Sequence, residues 1–351
     1  MILNSFKYFP HTLQFKSDFK TSTGKLKSRK VFIIKLKDEN GISFFGEAAP
    51  LPEFGSESFE DVEKELISLS QKDSFQIDGS LQEIFTQINS YTNLPTIQFA
   101  LEQIFITAML KRNNSLMNNF EIGKEINVNA VMGIESFVSA QEKLKVIIDS
   151  DFKVIKLKTG DENFEEVLNL LSWAIGELQA KVKFRIDPNQ SWDVKKTILR
   201  SERLALLPVE YIEQPVKNFD DLVETSQKSS IPIAADESVR TIEDAEKIIN
   251  NSKVKFLVIK PALFGGLGNI FQLKNQFQNN DVKIVVSSAF ESNIGRRHLA
   301  LIAALINNNI AHGLATSEHL LNQPCEDVFP IENGLLNFSM GKYNTELKPK
   351  F

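Results

Sequence analysis

Six charged residues fall where successive strand-like runs stop: Lys156 and Lys158, Asp187, Glu213, Asp236 and Lys260. The three acids are hard oxygen donors with no histidine or cysteine among them, a set that suits Mg2+ or Mn2+ rather than Zn2+. The lysines suggest proton transfer. An ordinary lysine is protonated at neutral pH and cannot accept a proton. Two ammonium groups about 6 Å apart repel by about 3 kcal/mol at an effective dielectric of about 20, which lowers the pKa of one of them and makes it a base. Neighbouring carboxylates pull the other way unless a divalent ion neutralises them. The ion is therefore expected to serve twice, as Lewis acid and as the group that frees a lysine. The chemistry this fits is removal of a weakly acidic proton next to a carboxylate, with the developing charge held by cations.

Such residues need elements that aim them at one place. Side chains alternate along a strand, so Lys156 and Lys158 point one way while Ile155 and Leu157 point the other. The same alternation groups Arg185 with Asp187, Tyr211 with Glu213 and Val258 with Lys260. From about residue 125, short β-rich runs alternate with helical stretches: 126–131, 154–158, 184–186, 209–212, 233–235, 256–260, 283–287 and 311–314. Their starts lie 23 to 30 residues apart, which predicts an α/β fold, a (β/α)7β TIM-like barrel with little room for an eighth helix. Isolated charges inside such a barrel are costly unless paired or metal-bound, so six at one mouth point to a site.

The first hundred residues lack this rhythm. Runs at 31–36 and 42–45 read as a strand pair around Asp38-Glu39-Asn40-Gly41, followed by a Pro- and Gly-rich loop at 46–55 and helices at 59–69 and about 96–111. The expected division is an α+β domain over 1–118, the barrel over 119–320, and a tail over 321–351 that packs back on the first domain. The stretch Lys25 to Lys30 reads as a solvated flexible loop.

The 351 residues are 42% hydrophobic and 24% charged, with a net charge of -5, an ordinary globular composition without a basic block fit for nucleic acid. A single cysteine, Cys325, bars an internal disulfide. No apolar run reaches membrane-spanning length and the start has no secretion-signal pattern, so a cytoplasmic location is expected.

At these residues the chain resembles the enolase superfamily, in its muconate-lactonizing subgroup. Lys156-Leu157-Lys158 is similar to the KxK motif, Asp187, Glu213 and Asp236 to the metal triad, and Lys260 to the opposing lysine. Within the subgroup, Gly46-Glu47-Ala48-Ala49-Pro50-Leu51-Pro52 and Ser287-Ser288-Ala289-Phe290-Glu291-Ser292-Asn293-Ile294-Gly295 resemble the o-succinylbenzoate synthase family, as does Arg185-Ile186-Asp187-Pro188-Asn189. The resemblance implies that the N-terminal domain caps the barrel, with loops near Thr21 to Lys25 and Pro50 to Gly55 closing over a small dicarboxylate. It implies syn dehydration of 2-succinyl-6-hydroxy-2,4-cyclohexadiene-1-carboxylate to 2-succinylbenzoate in menaquinone biosynthesis, through a metal-stabilised enediolate. Lys158 is then base and acid, Lys260 stabilises the enediolate, and Lys156, Arg185, Asn189, Ser287, Ser288 and Phe54 bind substrate.

N-succinylamino acid racemisation and dipeptide epimerisation use the same lysines. Epimerases resemble the chain less at the last strand, where their acidic pair is replaced here by His312-Gly313-Leu314-Ala315-Thr316. A Schiff-base aldolase on Lys158 or Lys260 and a non-catalytic barrel are further readings. Gly265-Gly266-Leu267-Gly268 invites a phosphate cradle but lacks the dinucleotide spacing, and reads as a tight turn.

Overall fold

The computed structural model describes residues 1–21, 24–134, 136–179, 181–278, 280–307 and 309–350, with the backbone alone at 17–21, 24, 25 and 114. Seven parallel strands pair in chain order: Ala130–Gly133, Val154–Lys158, Lys183–Asp187, Val209–Glu213, Ile233–Ala235, Phe256–Ile259 and Lys283–Val286. The sheet curls shut through two isolated bridges, Val128 with His312 and Ser287 with Gly313. The eighth strand expected over 311–314 is thus reduced to those two pairings. The expected first strand, 126–131, is also split. Glu125–Asn127 leaves the barrel to pair with Leu335–Asn337, and beyond the Val128 bridge the part from Ala130 onward joins the parallel sheet.

Outside the barrel, amphipathic helices cover the strands, several with side-chain caps that fix where they begin. Asp193 accepts a hydrogen bond from Lys196 N at 2.7 Å, and Thr241 and Asp244 form a reciprocal capping box ahead of Ile242–Asn251.

The N-terminal domain is an antiparallel sheet of Ile2–Thr21, Gly24–Asp38 and Ser43–Ala48, followed by helices Phe59–Ser70, Leu81–Tyr91 and Pro95–Arg112. Every residue from Thr96 to Leu110 is buried, because this last helix lies between the N-terminal sheet and the barrel. Gln103 exchanges hydrogen bonds with the main chain of Glu47 on the sheet side. On the barrel side, the Glu102 carboxylate accepts from Leu267 N and Gly268 N at 2.6 and 2.8 Å.

Two expectations change here. The stretch 25–30 lies within the strand Gly24–Asp38, and Arg29 is buried rather than solvated, held by main-chain carbonyls. Of the loop expected near Thr21 to Lys25, residues 22 and 23 lie outside the described residues. The tail touches both parts of the molecule: Leu335–Asn337 pairs next to the barrel, while Leu320–Leu321 pairs with the first strand at Gln14 and Phe15. Among the described residues no helix is long and apolar enough to cross a membrane.

Candidate active site

At the mouth formed by the strand C-termini is a cavity with about 720 Å³ of empty space, its open entrance included. Lys156 and Lys158 rise from the second strand, Asp187 and Asn189 from the third, Glu213 from the fourth, and Asp236 and Lys260 from the next two. Ser287 and Ser288 complete the far wall, and Phe54 reaches over from the N-terminal domain. Pro52–Phe54 forms a single 3-10 turn stopped by Gly55 at φ +85°, and it sets the Phe54 ring centroid 5.7 Å from Lys260 Nζ.

Arg185, expected to bind substrate, is not brought to this cavity. Its side chain is fully buried beneath it, with Nε 2.7 Å from Glu210 Oε2 and Nη1 donating to Asn129 Oδ1 and Ala311 O at 3.0 and 2.8 Å. Its guanidinium also packs 4.7 Å from the Tyr211 ring centroid, and Asn129 and Tyr211 are themselves cavity walls. Arg185 therefore supports the floor. The cause is register: it lies two residues before Asp187 on the inner face, one layer further down.

The lysines are engaged by the acids. Lys156 Nζ lies 2.8 Å from Glu213 Oε1 and 3.1 Å from Asp187 Oδ2, and Lys260 Nζ is paired with Asp236. Lys158 Nζ lies 3.5 Å from Asn189 Oδ1. Burial alone would lower the Lys156 pKa, but Asp187, Glu213 and Asp236 together hold it well above the usual lysine value. Lys260 is likewise raised against its burial, by Asp236 and Glu237. At both positions the carboxylates outweigh burial and pull the lysine up, the direction expected where no divalent ion offsets them. Burial raises the Glu213 pKa to about 8 despite Lys156, with Asp187 and Asp236 adding to the rise. Asp187 moves down, its burial overridden by Lys156 and Lys158.

Whether the acids suit a divalent ion is tested by their oxygens. Glu213 Oε2 is buried with no hydrogen-bond partner, Asp187 Oδ2 is buried and meets only the Lys156 ammonium at 3.1 Å, and all the side-chain donors of the set are carboxylate oxygens. Among the described residues, no three carboxylate, imidazole or thiol groups stand close enough to form a ready cage. The Lys156 ammonium stands against Asp187 and Glu213, and Lys260 against Asp236. The donors fit a hard cation, on condition that the ammonium groups give way.

Several further residues shape the site from positions next to the strand-end acids. Glu237 follows Asp236, has a buried unpartnered Oε2, and is pushed up to about 7 by burial and by Asp236 and Asp187. Gln214 sits at φ +36° and accepts from Asp236 N at 3.0 Å and Ser238 N at 3.2 Å, tying two strand ends together. Asn189 and Gln190 also have positive φ, so strained backbone follows both Asp187 and Glu213. An acid next to an acid in Asp236-Glu237, and the polar residue in Glu213-Gln214-Pro215, were the available clues. The Gly265–Gly268 turn holds no open anion site: the Glu102 carboxylate already fills that helix start, and Gly266 sits at φ +87° where a Cβ would lie 2.1 Å from Glu102 Oε2.

A barrel with acids on three successive strand ends and lysines around them defines the class of protein. The chain belongs to the enolase superfamily: the family model described as enolase C-terminal domain-like matches residues 139–342. A second model, MenC N-terminal domain, matches residues 3–104. An o-succinylbenzoate synthase of Thermobifida fusca is 30% identical over 57% of this chain, a match that spans 63% of the relative, under two thirds of its length. One from Aliivibrio salmonicida is 28% identical over 88% of the chain and 89% of the relative. An L-Ala-D/L-Glu epimerase of Francisella tularensis subsp. novicida is also 28% identical, over 68% of the chain and 71% of the relative. A solved dipeptide epimerase from Enterococcus faecalis V583, complexed with Mg and the dipeptide L-Leu-L-Tyr, superposes with a TM-score of 0.84 at 19% identity, covering 97% of this chain and 98% of that one. That likeness concerns the fold.

Proposed function

We propose that this protein is a metal-dependent hydro-lyase of the o-succinylbenzoate synthase type, acting in menaquinone biosynthesis. Its substrate is then 2-succinyl-6-hydroxy-2,4-cyclohexadiene-1-carboxylate and its product 2-succinylbenzoate. The observation that carries this reading over an epimerase is the wall at residues 313–316. Gly313, Ala315 and Thr316 line the cavity there with Ser287 and Ser288, and none of them is an acid. A dipeptide brings an α-ammonium, which is costly to bury without a counter-charge. Hydroxyls and main chain suit a succinyl carbonyl and carboxylate instead. The match of the N-terminal domain to the MenC model and the two synthase relatives support the same choice.

Asp187, Glu213 and Asp236 would hold Mg2+ or Mn2+, in line with the Mg bound by the dipeptide epimerase of the same fold. When bound, the ion supplies Lewis-acid charge beside the ring carboxylate and offsets the acids around the lysines. Lys158 removes the proton on the carbon bearing that carboxylate, and the electron pair delocalises into the carboxylate. Lys260, on the opposite wall, faces the charge that develops. The electron pair then forms the ring double bond as the hydroxyl departs, and Lys158 returns its proton so that water leaves. Asn189 keeps Lys158 aimed, and Phe54 covers the ring and excludes water.

An ultraviolet assay of 2-succinylbenzoate formation tests this with wild type, Lys158→Ala and Lys260→Ala. Activity in wild type and loss by at least about a thousandfold in both variants is expected, since neither the proton transfer nor the charge stabilisation has a substitute. The epimerase relative at the same identity gives the second reading, racemisation of N-acylamino acids or dipeptides. Deuterium exchange into those substrates without dehydration of the cyclohexadiene acid would favour it.

A further inference from the structure

The loop after Ala48 and the loop at 287–292 meet at a buried guanidinium that belongs to neither. Arg29 lies in the strand Gly24–Asp38, opposite Leu13, and is 1% exposed. Its Nε donates to Ala289 O at 3.2 Å, Nη1 to Lys30 O at 3.0 Å and to Pro50 O, and Nη2 to Ala49 O. All four acceptors are main-chain carbonyls, and three belong to the two loops. A planar fork of donors fixes such carbonyls relative to one another, which the point charge of a lysine cannot do.

Among the described residues no carboxylate forms an ion pair with Arg29; Glu291 and Glu47 balance its charge from nearby. Each of those acids ties down the barrel loop. Glu47 accepts from Ser292 N at 2.9 Å and Gly295 N at 3.0 Å, and Glu291 accepts from Ala289 N and from Ser288 Oγ at 2.5 Å. Leu13, Val31, Leu51 and Phe290 pack around the junction and keep it dry. On one side it ends at Ser288 and Phe290, both cavity walls, with Thr316 Oγ1 donating to Ser288 Oγ at 2.6 Å. On the other side Ala49 and Pro50 root the turn that carries Phe54 over Lys260.

We propose that Arg29 is a positioning residue that locks the Phe54 turn to the Ser288 wall, and that this lock sets how tightly the cavity holds its substrate. Only the kinetic part of its test rests on the function proposed above.

The test uses the full chain with Arg29→Ala and Arg29→Lys. Limited chymotrypsin digestion, without substrate, reads the turn through cleavage after Phe54. The expected result is cleavage at least tenfold faster in Arg29→Ala and a smaller increase in Arg29→Lys, with cleavage elsewhere unchanged. In the dehydration assay KM rises at least tenfold in Arg29→Ala while kcat falls less, and Arg29→Lys recovers part of the loss. Wild-type cleavage after Phe54 in folded Arg29→Ala overturns the proposal, as does acceleration at all sites in both variants, or a fall in kcat at constant KM. If Arg29→Ala does not fold, Arg29→Lys is judged by the same three readouts. If wild type turns over no substrate of the proposed class, the function reading fails while the digestion still decides the lock.

Discussion

Lys156 donates to Glu213 across 2.8 Å inside the candidate site, so an ammonium occupies a carboxylate that a divalent ion would need. Both side chains are almost wholly buried. Removing one partner of a buried pair costs about 3–5 kcal/mol, because the other charge is left alone. Lys156→Met is therefore expected to lose about that much stability in EDTA. Saturating Mg2+ should return a large part of it, since an ion at a hundred times its Kd stabilises by about 2.7 kcal/mol. Urea unfolding of wild type and variant, with EDTA and with Mg2+, checks this. An equal Mg2+ response in the two proteins would show that the lysine and the ion do not compete.

Phe54 acts on the substrate cavity without belonging to the core. It is half-buried, lines the cavity, and sits within cation–π range of Lys260. Phe54→Ala should raise KM for the dehydration about tenfold, equivalent to about 1.4 kcal/mol of lost binding. The melting temperature should stay within about 2 °C of wild type, as expected for a surface-loop change. A fall in kcat alone would assign the ring to chemistry rather than to enclosure.

The charges at the strand ends were legible because they obey two short-range rules, alternation along a strand and a repeating strand-helix step. Those rules place Lys156, Asp187 and Glu213 at one mouth, and all three do line one cavity. They do not say how deep a side chain lies, so Arg185 and Asp187 looked alike although one sits under the floor. The junction residues were illegible for a different reason. Glu47 meets Ser292 across 245 positions and Glu102 meets Leu267 across 165, and no local pattern marks such partners. The first strand escaped notice because its register shifts between Asn4 and Lys7 and again between Gln14 and Phe19, which scrambles the alternation. The helix Leu81–Tyr91, by contrast, is marked in the sequence by its Ser80–Glu83 capping box.

Glu102 offers a sharper test of the joint between the two domains. Its carboxylate is the partner of Leu267 N and Gly268 N, so Glu102→Ala leaves one buried and one part-buried donor unmade, at about 1–3 kcal/mol for the buried one. Gly266→Ala should also destabilise, through its positive φ and through the clash with Glu102 Oε2. The two costs share one contact. In the double variant the clash is already gone, so the loss of stability should be smaller than the sum of the single losses by about 1 kcal/mol or more. Chemical denaturation of the four proteins of the cycle measures this, and strict additivity would mean that residue 266 and Glu102 do not meet.

His312 sets an acid limit on stability. Its ring is buried at the barrel closure, Nδ1 accepts from Val286 N at 3.0 Å, and burial, assisted by the positive charge of Arg185, lowers its pKa to about 3. In the unfolded chain a histidine takes up a proton near pH 6.5. Between about pH 6.5 and 3 the unfolded state therefore binds a proton that the folded state refuses. The contribution of His312 is fully present above 6.5 and is lost as the pH falls through that window, by about 2 kcal/mol on reaching pH 5. Glu47, Glu213 and Glu237, whose pKa values burial raises to about 7, 8 and 7, act in the opposite sense above about pH 4.5, so the wild-type profile alone would mix these effects. Comparison with His312→Asn, which keeps an acceptor for Val286 N but does not titrate, isolates the histidine. The stability advantage of wild type over this variant should shrink by about 2 kcal/mol between pH 7 and pH 5 in urea unfolding. An advantage that is constant across that range would show that the folded protein admits the proton at His312 as readily as the unfolded chain does.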